Sequence, residues 1–203
     1  MTPRGTRWYL FDYGMVISTA PAPEDWGLLE QATGFRELEA GTSPYWRRRE
    51  DFDAGRLTPA QYWESVLGRD AGQAEVDTLE ELDAAQWAHL NPRTMGVLET
   101  LHSEGANLAL LSNMPDGMSR RYSAESPWAQ YFSKLYFSGR MGLVKPDRQI
   151  FERVVAGLGA APEDIVFIDD NTQNISMART MGFRTILHTG GTDLRAELSG
   201  LGR

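Results

Sequence analysis

The sequence predicts an α/β protein: a doubly wound parallel sheet with an all-helical insertion. Three observations predict it. Short apolar runs (8–11, 107–111, 135–137, 165–168 and 185–188) alternate with helix-like segments, the pattern of a parallel sheet covered on both faces. Three of these runs end in polar residues, at Asp12, Ser112-Asn113 and Asp169-Asp170. The carboxyl ends of parallel strands share one edge, so groups far apart in sequence are expected to converge in one crevice there. Between the first two runs, residues 20–89 lack any β-branched run and place Trp26, Leu29, Tyr45, Trp46, Phe52, Tyr62, Trp63 and Val66 at three- and four-residue spacings, as helices do.

The first strand, Trp8-Tyr9-Leu10-Phe11, stops at Asp12, and Gly14 is expected to let the chain turn sharply toward whatever Asp12 holds. Residues 17–23 form a small-residue, proline-containing loop. Within the insertion, Gly34, Gly41, Gly55 and Gly72 separate short helices, and Thr58-Pro59 marks a helix start with Thr58 as N-cap. Asn91-Pro92 opens a helix ending at Gly105. A helix over 149–158 puts Ile150, Phe151, Val154, Val155 and Leu158 on one face, and another runs from about 173 to 181. A short polar tail follows the last strand. The expected domains are a core of residues 1–19 and 90–203 and a cap of residues 20–89.

Composition narrows the function. At 203 residues, 41% hydrophobic and 24% charged, the chain is an ordinary globular one. Its net charge of −8 argues against a nucleic-acid partner, which demands clustered Lys and Arg. The absence of cysteine excludes disulfides, thiolate metal sites and a Cys nucleophile, and fits a reducing compartment. No leader-like or membrane-spanning run is visible, so a cytoplasmic protein with no membrane partner is expected. Asn174-Ile175-Ser176 matches a glycosylation sequon and is read as chance.

Crowded carboxylates keep their charge only beside a cation or lysine. Hard oxygen ligands suit Mg²⁺, and Lys145 in Gly142-Leu143-Val144-Lys145-Pro146-Asp147 offers a second positive charge. Ser112, Asn113 and nearby backbone N–H groups are candidates for holding a phosphate.

In this order the motifs Phe11-Asp12-Tyr13-Gly14-Met15-Val16, Leu111-Ser112-Asn113, Lys145-Pro146-Asp147 with Ile150-Phe151, and Phe167-Ile168-Asp169-Asp170-Asn171 with Asn174, Ala178 and Gly182 resemble the four motifs of the haloacid dehalogenase-like hydrolases. The resemblance spans most of the chain and implies a Rossmann-like core, with residues 20–89 in the place of a cap of the first type. It implies a nucleophile at Asp12 that forms an aspartyl-phosphate, and Mg²⁺ held by Asp12, the Gly14 carbonyl and a motif-four aspartate, Asp170 with Asp169 in support. Lys145 would neutralise charge, and Ser112 and Asn113 would bind phosphoryl oxygens of a small phosphorylated metabolite.

One departure matters. Phosphatases of the family usually carry an aspartate, a general acid and base, two residues after the nucleophile; here that residue is Gly14. Such a loss costs about 10²–10⁴ in rate, or roughly 3–5 kcal/mol of barrier. Three consequences are open. The substrate has an easy leaving group, as in sugar-1-, acyl or aryl phosphates; a cap residue supplies the proton; or the site binds without turnover. Family members with an Asp-x-Gly motif resemble sugar-phosphate phosphatases, which favours the first. A haloacid dehalogenase, needing no general acid, is the alternative enzyme, although the Asp169-Asp170 pair looks built for a metal it does not need. A disabled binding protein is the alternative outside enzymes.

In the cap, Tyr45-Trp46-Arg47-Arg48-Arg49 offers Trp46 and Arg49 for substrate recognition. The competing reading buries the aromatics and leaves the arginines solvated, with Asp51 and Asp53 to pair. Glu80-Glu81-Leu82-Asp83 reads as a solvated helix face. His89, His102 and His188 lack metal-ligand spacing; only His89, near the cap–core junction, is a candidate acid. Ser18 and Thr19 either reach substrate or begin the linker.

Overall fold

The computed structural model describes residues 7–201; residues 1–6 and 202–203 of the expected core lie outside them. Five strands, β1 (Trp8–Phe11), β2 (Asn107–Ser112), β3 (Lys134–Phe137), β4 (Ile165–Asp169) and β5 (Arg184–Leu187), form one parallel sheet in the order β3-β2-β1-β4-β5. All five coincide with the expected apolar runs to within a residue or two at their ends. With β1 in the centre, β2 and β4 flank it, so the three strands with polar ends are neighbours.

The period-two alternation of strands divides the core in two. Phe11, Leu108, Leu110, Val166 and Ile168 face one layer, which contains α6 (Pro92–Ser103), α7 (Asp116–Glu125) and α11 (Leu194–Gly200). Leu10, Ala109, Leu111, Ile165 and Phe167 face α9 (Arg148–Leu158) and α10 (Thr172–Thr180). Helix α8 (Ser138–Met141) continues directly from β3. Three helices fell outside the sequence expectation, the short α8 among them. Helix α7 buries Met118 and Tyr122, and the supposed polar tail holds α11, with Asp193 capping it and Leu194 and Leu198 buried.

The insertion is helical as expected: α1 (Pro23–Thr33), α2 (Pro44–Arg47), α3 (Arg49–Asp53), α4 (Pro59–Leu67) and α5 (Gln73–Gln86). Thr58 caps α4 through Gln61. These helices enclose a separate cluster of Trp26, Leu29, Tyr45, Phe52, Tyr62, Trp63, Val76 and Leu79. Its two connections to the sheet lie side by side, with Thr19 N–H donating to His89 O (2.8 Å) and Asn91 N–H to Ile17 O (2.8 Å). Ser18 and Thr19 therefore begin the linker. No helix among the described residues is long and apolar enough to cross a membrane.

The supposedly solvated face of α5 is a correction. Asp83 is 1% exposed, and Glu80 accepts from Trp63 Nε1 at 2.5 Å. The aromatic cluster needs partners for its N–H and O–H groups, and these carboxylates supply them. Burial pushes the Glu80 carboxyl up to about 7, with the Trp63 bond opposing and Asp83 reinforcing.

A folded-state value above the ordinary 4.5 means that the fold holds this proton more tightly than the open chain does. The stabilisation is complete below the ordinary value and disappears as pH rises through about 7. Glu80→Gln, which keeps the acceptor for Trp63, is expected to raise Tm at pH 8 by about 2–4 °C, equivalent to roughly 1 kcal/mol, and to change it little at pH 4.5. Calorimetric melts at the two pH values check this; equal shifts at both would contradict it.

Candidate active site

Asp12 follows β1, Ser112 ends β2 and Asp169 ends β4, so adjacent parallel strands bring all three to one edge. Asp12 N–H donates to Ile168 O at 2.8 Å and continues the β1–β4 ladder. Carboxylate oxygens of Asp12, Asp169 and Asp170 lie within 4.8 Å of one another. The predicted convergence across some hundred and sixty residues is thus present.

Between these acids sits the Lys145 ammonium, 2.7 Å from Asp12 Oδ1 and 2.7 Å from Asp169 Oδ2, with the lysine 4% exposed. Asn113 holds the lysine's backbone at both ends: its Nδ2 donates to Lys145 O (2.9 Å) and its Oδ1 accepts from Lys145 N–H (2.9 Å). One amide hydrogen of Asn113 remains for a ligand. Burial pushes Asp12 up to about 7, opposed by Lys145 and reinforced by Asp169 and Asp170. Burial also pulls Lys145 down, but the two aspartates outweigh it and hold the ammonium above its ordinary value.

The two motif-four aspartates differ in how they are used. Asp169 Oδ1 accepts from Asn171 N–H (2.8 Å) and Asn174 Nδ2 (3.0 Å), and its Oδ2 from Lys145 and Asn174, which saturates the group. Asn174, the supposed sequon residue, is buried in this role. The Asp170 carboxylate accepts no hydrogen bond from the described side chains, and burial, then Asp169, raises its pKa. Asp12 Oδ2 and the Gly14 carbonyl are also free of hydrogen bonds among the described residues. With all three carboxylates ionised, one ammonium would leave two uncompensated negative charges, beside the free oxygens of Asp12, Gly14 and Asp170. That set fits a divalent, oxygen-preferring cation such as Mg²⁺.

Gly14 is not the residue that makes the turn. The left-handed residue is Met15 (φ 58°), while Gly14 has no positive φ and a Cβ there would meet nothing within 4 Å. The turn forms because Tyr13 O accepts from the N–H groups of Val16, Ile17 and Ser18, and His188 Nδ1 lies 3.1 Å from Met15 O. His188 is buried and its pKa lowered by that burial. His89 is exposed and pairs with Asp25 (2.8 Å), and His102 packs edge-on against Tyr131, so neither serves the site.

A cavity of about 200 Å³ opens onto the strand ends, lined by Asp12, Gly14, Ser112, Asn113, Lys145 and Asp170 from the sheet side. Trp46, Arg49, Asp53 and Trp87 line it from the cap side. The Ser112 hydroxyl has no hydrogen-bond partner among the described residues. A roomier groove between Pro23 and Ala40, about 920 Å³, contains none of these groups.

Trp46 spends its indole N–H on Glu39 O (3.1 Å) and offers its ring to the cavity. Arg49 is not solvated but 7% exposed: Nε binds Asp53 (2.9 Å), and Nη1 binds Asp83 (2.8 Å) and the Tyr45 hydroxyl (2.6 Å). Its Nη2 makes no hydrogen bond among the described residues. Sequence reasoning missed Trp87 and treated Asp53 only as a possible pairing partner; the four-residue step from Arg49 to Asp53 on one helix was the available signal.

Comparison with known proteins agrees with this geometry. The profile of the haloacid dehalogenase-like hydrolases matches residues 17–182. The chain belongs to that family. Asp12 lies just ahead of the matched stretch. Among family relatives, the D-ribitol-5-phosphate phosphatase of Bacteroides thetaiotaomicron is 28% identical over 158 residues, covering 74% of this chain and 75% of its own length. The drimenol cyclase of Aspergillus calidoustus is 27% identical over 157 residues, 74% of this chain, but the match spans only 29% of that longer protein. A HAD family enzyme of B. thetaiotaomicron, solved as an Asp-to-Ala mutant with magnesium and inorganic phosphate, superposes with a TM-score of 0.75 at 22% identity, covering 95% of this chain and 99% of the other. This last likeness shows the fold.

The buried ion cluster at the sheet edge is expected to contribute to stability. Lys145→Met leaves Asp12 and Asp169 buried without a counter-charge, and stability is expected to fall by about 3–5 kcal/mol in urea unfolding. A loss below roughly 1 kcal/mol would show that the cluster holds little of the fold.

Proposed function

We propose that this hydrolase is a Mg²⁺-dependent phosphatase of small phosphorylated metabolites, acting through an aspartyl-phosphate at Asp12. The observation that carries the reading is the pairing of the buried Asp12 carboxylate with an ammonium at 2.7 Å, and carboxylate oxygens of Asp12, Asp169 and Asp170 within 4.8 Å of one another. A reactive carboxylate and an electrostatic sink for phosphoryl charge share one edge.

Asp12, the Gly14 carbonyl and Asp170 would hold Mg²⁺, which supplies charge neutralisation for an incoming phosphate. Asp169 keeps Lys145 in place. A carboxylate oxygen of Asp12 forms a bond to phosphorus as the bond to the leaving oxygen breaks. Water then attacks the phosphorus, releasing inorganic phosphate and restoring the Asp12 carboxylate. Lys145 balances the charge of both half-reactions, while the Ser112 hydroxyl, the remaining Asn113 amide hydrogen and Arg49 Nη2 would donate to phosphoryl or substrate oxygens. A cavity of about 200 Å³ walled by Trp46 and Trp87 suits a compact metabolite such as a sugar phosphate.

Gly14 favours a second reading, haloacid dehalogenation, in which a halide leaves without protonation. Against it stands the free Asp170 carboxylate, which such chemistry leaves without work. It also keeps open a protein that binds without turnover.

p-Nitrophenyl phosphate separates the three. The expected result is release of p-nitrophenol that requires Mg²⁺ and falls at least about 10³-fold in Asp12→Asn. Metal-independent halide release from 2-chloropropionate would overturn it in favour of dehalogenation. Inactivity in both assays, with Mg²⁺ still bound, would overturn it in favour of the binding protein.

A further inference from the structure

We infer that Asp53, at the end of α3 in the cap, is the general acid of the reaction and replaces the aspartate absent at Gly14. The assignment rests on the phosphatase reading. Its first support is position. Asp53 lines the same small cavity as Asp12, Lys145 and Asp170. Its backbone is tied to the sheet edge, because the Ser138 hydroxyl donates to Asp53 O while accepting from Met114 N–H (2.8 Å), two residues beyond Ser112. Two residues further on, the cap chain comes so close to the sheet side that a Cβ at Gly55 would lie 2.5 Å from Gly139 O. Gly55 also has φ +70°, so both contact and conformation select glycine there. Asp53 is thus held at the carboxyl edge of the sheet and lines the cavity that Asp12 also lines.

The second support is its unequal share of the guanidinium. Arg49 faces two carboxylates and can neutralise one. Asp83 takes most of the stabilisation, accepting from Arg49 Nη1 at 2.8 and 3.0 Å, from the Tyr45 hydroxyl at 2.6 Å and from Gln86 Nε2 at 3.0 Å. Asp53 accepts only from Arg49 Nε, on Oδ1 (2.9 Å), and its Oδ2 has no hydrogen bond among the described residues. When two acids share one cation, the proton settles on the one with fewer hydrogen bonds to its charged form. Burial accordingly pushes Asp53 up to about 6, against Arg49 and with Asp83 and Glu50 reinforcing. That places it close to the range useful for acid–base work near neutrality.

In the first half-reaction the Asp53 carboxyl gives its proton to the bridging oxygen as the P–O bond breaks and its electron pair moves to that oxygen. In the second, the Asp53 carboxylate takes a proton from the attacking water as the water oxygen bonds to phosphorus and the Asp12–phosphorus bond breaks. Each turnover returns both aspartates to their starting states.

The test compares kcat/KM, which reports the first half-reaction, for p-nitrophenyl phosphate and an alkyl phosphate such as glycerol phosphate. The phenolate leaves unaided, whereas the alkoxide needs a proton. Asp53→Asn, which keeps an acceptor for Arg49, is expected to lower kcat/KM for the alkyl phosphate by about 10²–10⁴ and to leave the aryl value nearly unchanged. Adding Gly14→Asp to that variant should restore the alkyl rate, since a Cβ at Gly14 meets nothing within 4 Å. Equal losses on both substrates, or none, would overturn the assignment. Should Asp53→Asn fail to fold, Gly14→Asp alone decides: little change on the alkyl phosphate supports an acid already in place, and a hundredfold gain refutes it. Wild-type protein inert toward p-nitrophenyl phosphate would remove the phosphatase reading and the assignment together, whereas active wild type with an indifferent Asp53→Asn variant removes the assignment alone.

Discussion

A lysine ammonium enclosed between two carboxylates at the rim of a sheet is the constraint on which the rest of the structure is built. Lys145 is 4% exposed and bonds Asp12 and Asp169 at 2.7 Å each. Charges taken out of water are stabilised by hydrogen bonds to their remaining lone pairs and protons. This explains why Asn174 and the Asn171 N–H are committed to Asp169, and why Asn113 clamps the lysine's backbone from both sides. It also explains the strand order. Asp12 and Asp169 belong to adjacent parallel strands, and no order that separated β1 from β4 would let one ammonium reach both.

The cap repeats this arrangement with a different cation. Arg49 stands between Asp53 and Asp83 as Lys145 stands between Asp12 and Asp169. A guanidinium does not give up its proton, so any imbalance in this cluster falls on the acids. Tyr45 and Gln86 weight the balance toward Asp83. The aromatic box around Arg49, with the Tyr45 ring at 5.1 Å and the Phe52 ring at 5.8 Å, keeps water away and makes that weighting effective.

What could be read in the sequence follows from range. The strands were legible because each is a short apolar run, three of them ending on polar residues, and the convergence of Asp12, Ser112 and Asp169 follows from the geometry of parallel sheets alone. Lys145 was legible through its motif. Partnership between Arg49 and Asp83, 34 residues apart on different helices, was not, because no local pattern distinguishes a buried arginine from a solvated one. The same limit put Glu80 and Asp83 on a solvated face. Helix α11 was missed although Leu194 and Leu198 are one turn apart, since seven residues among glycines and charges carry little periodic signal. At Met15 the backbone hydrogen bonds onto Tyr13 O set the left-handed conformation, against the preference that pointed to Gly14.

Charge joins the two clusters. With Asp12, Asp169 and Asp170 all ionised the sheet edge carries two uncompensated negative charges, and a phosphate dianion entering the cavity would bring the excess to four. A divalent cation held by Asp12, Gly14 and Asp170, as proposed, would remove half of that. The cap removes more by holding a proton: with both of its acids ionised the Arg49 cluster is net negative, and with Asp53 protonated it is neutral. Coulomb repulsion in a poorly solvated cavity therefore favours the protonated form of Asp53 most when a phosphate is present. The charge that makes the substrate hard to bind would itself load the cap with the proton that its leaving oxygen needs.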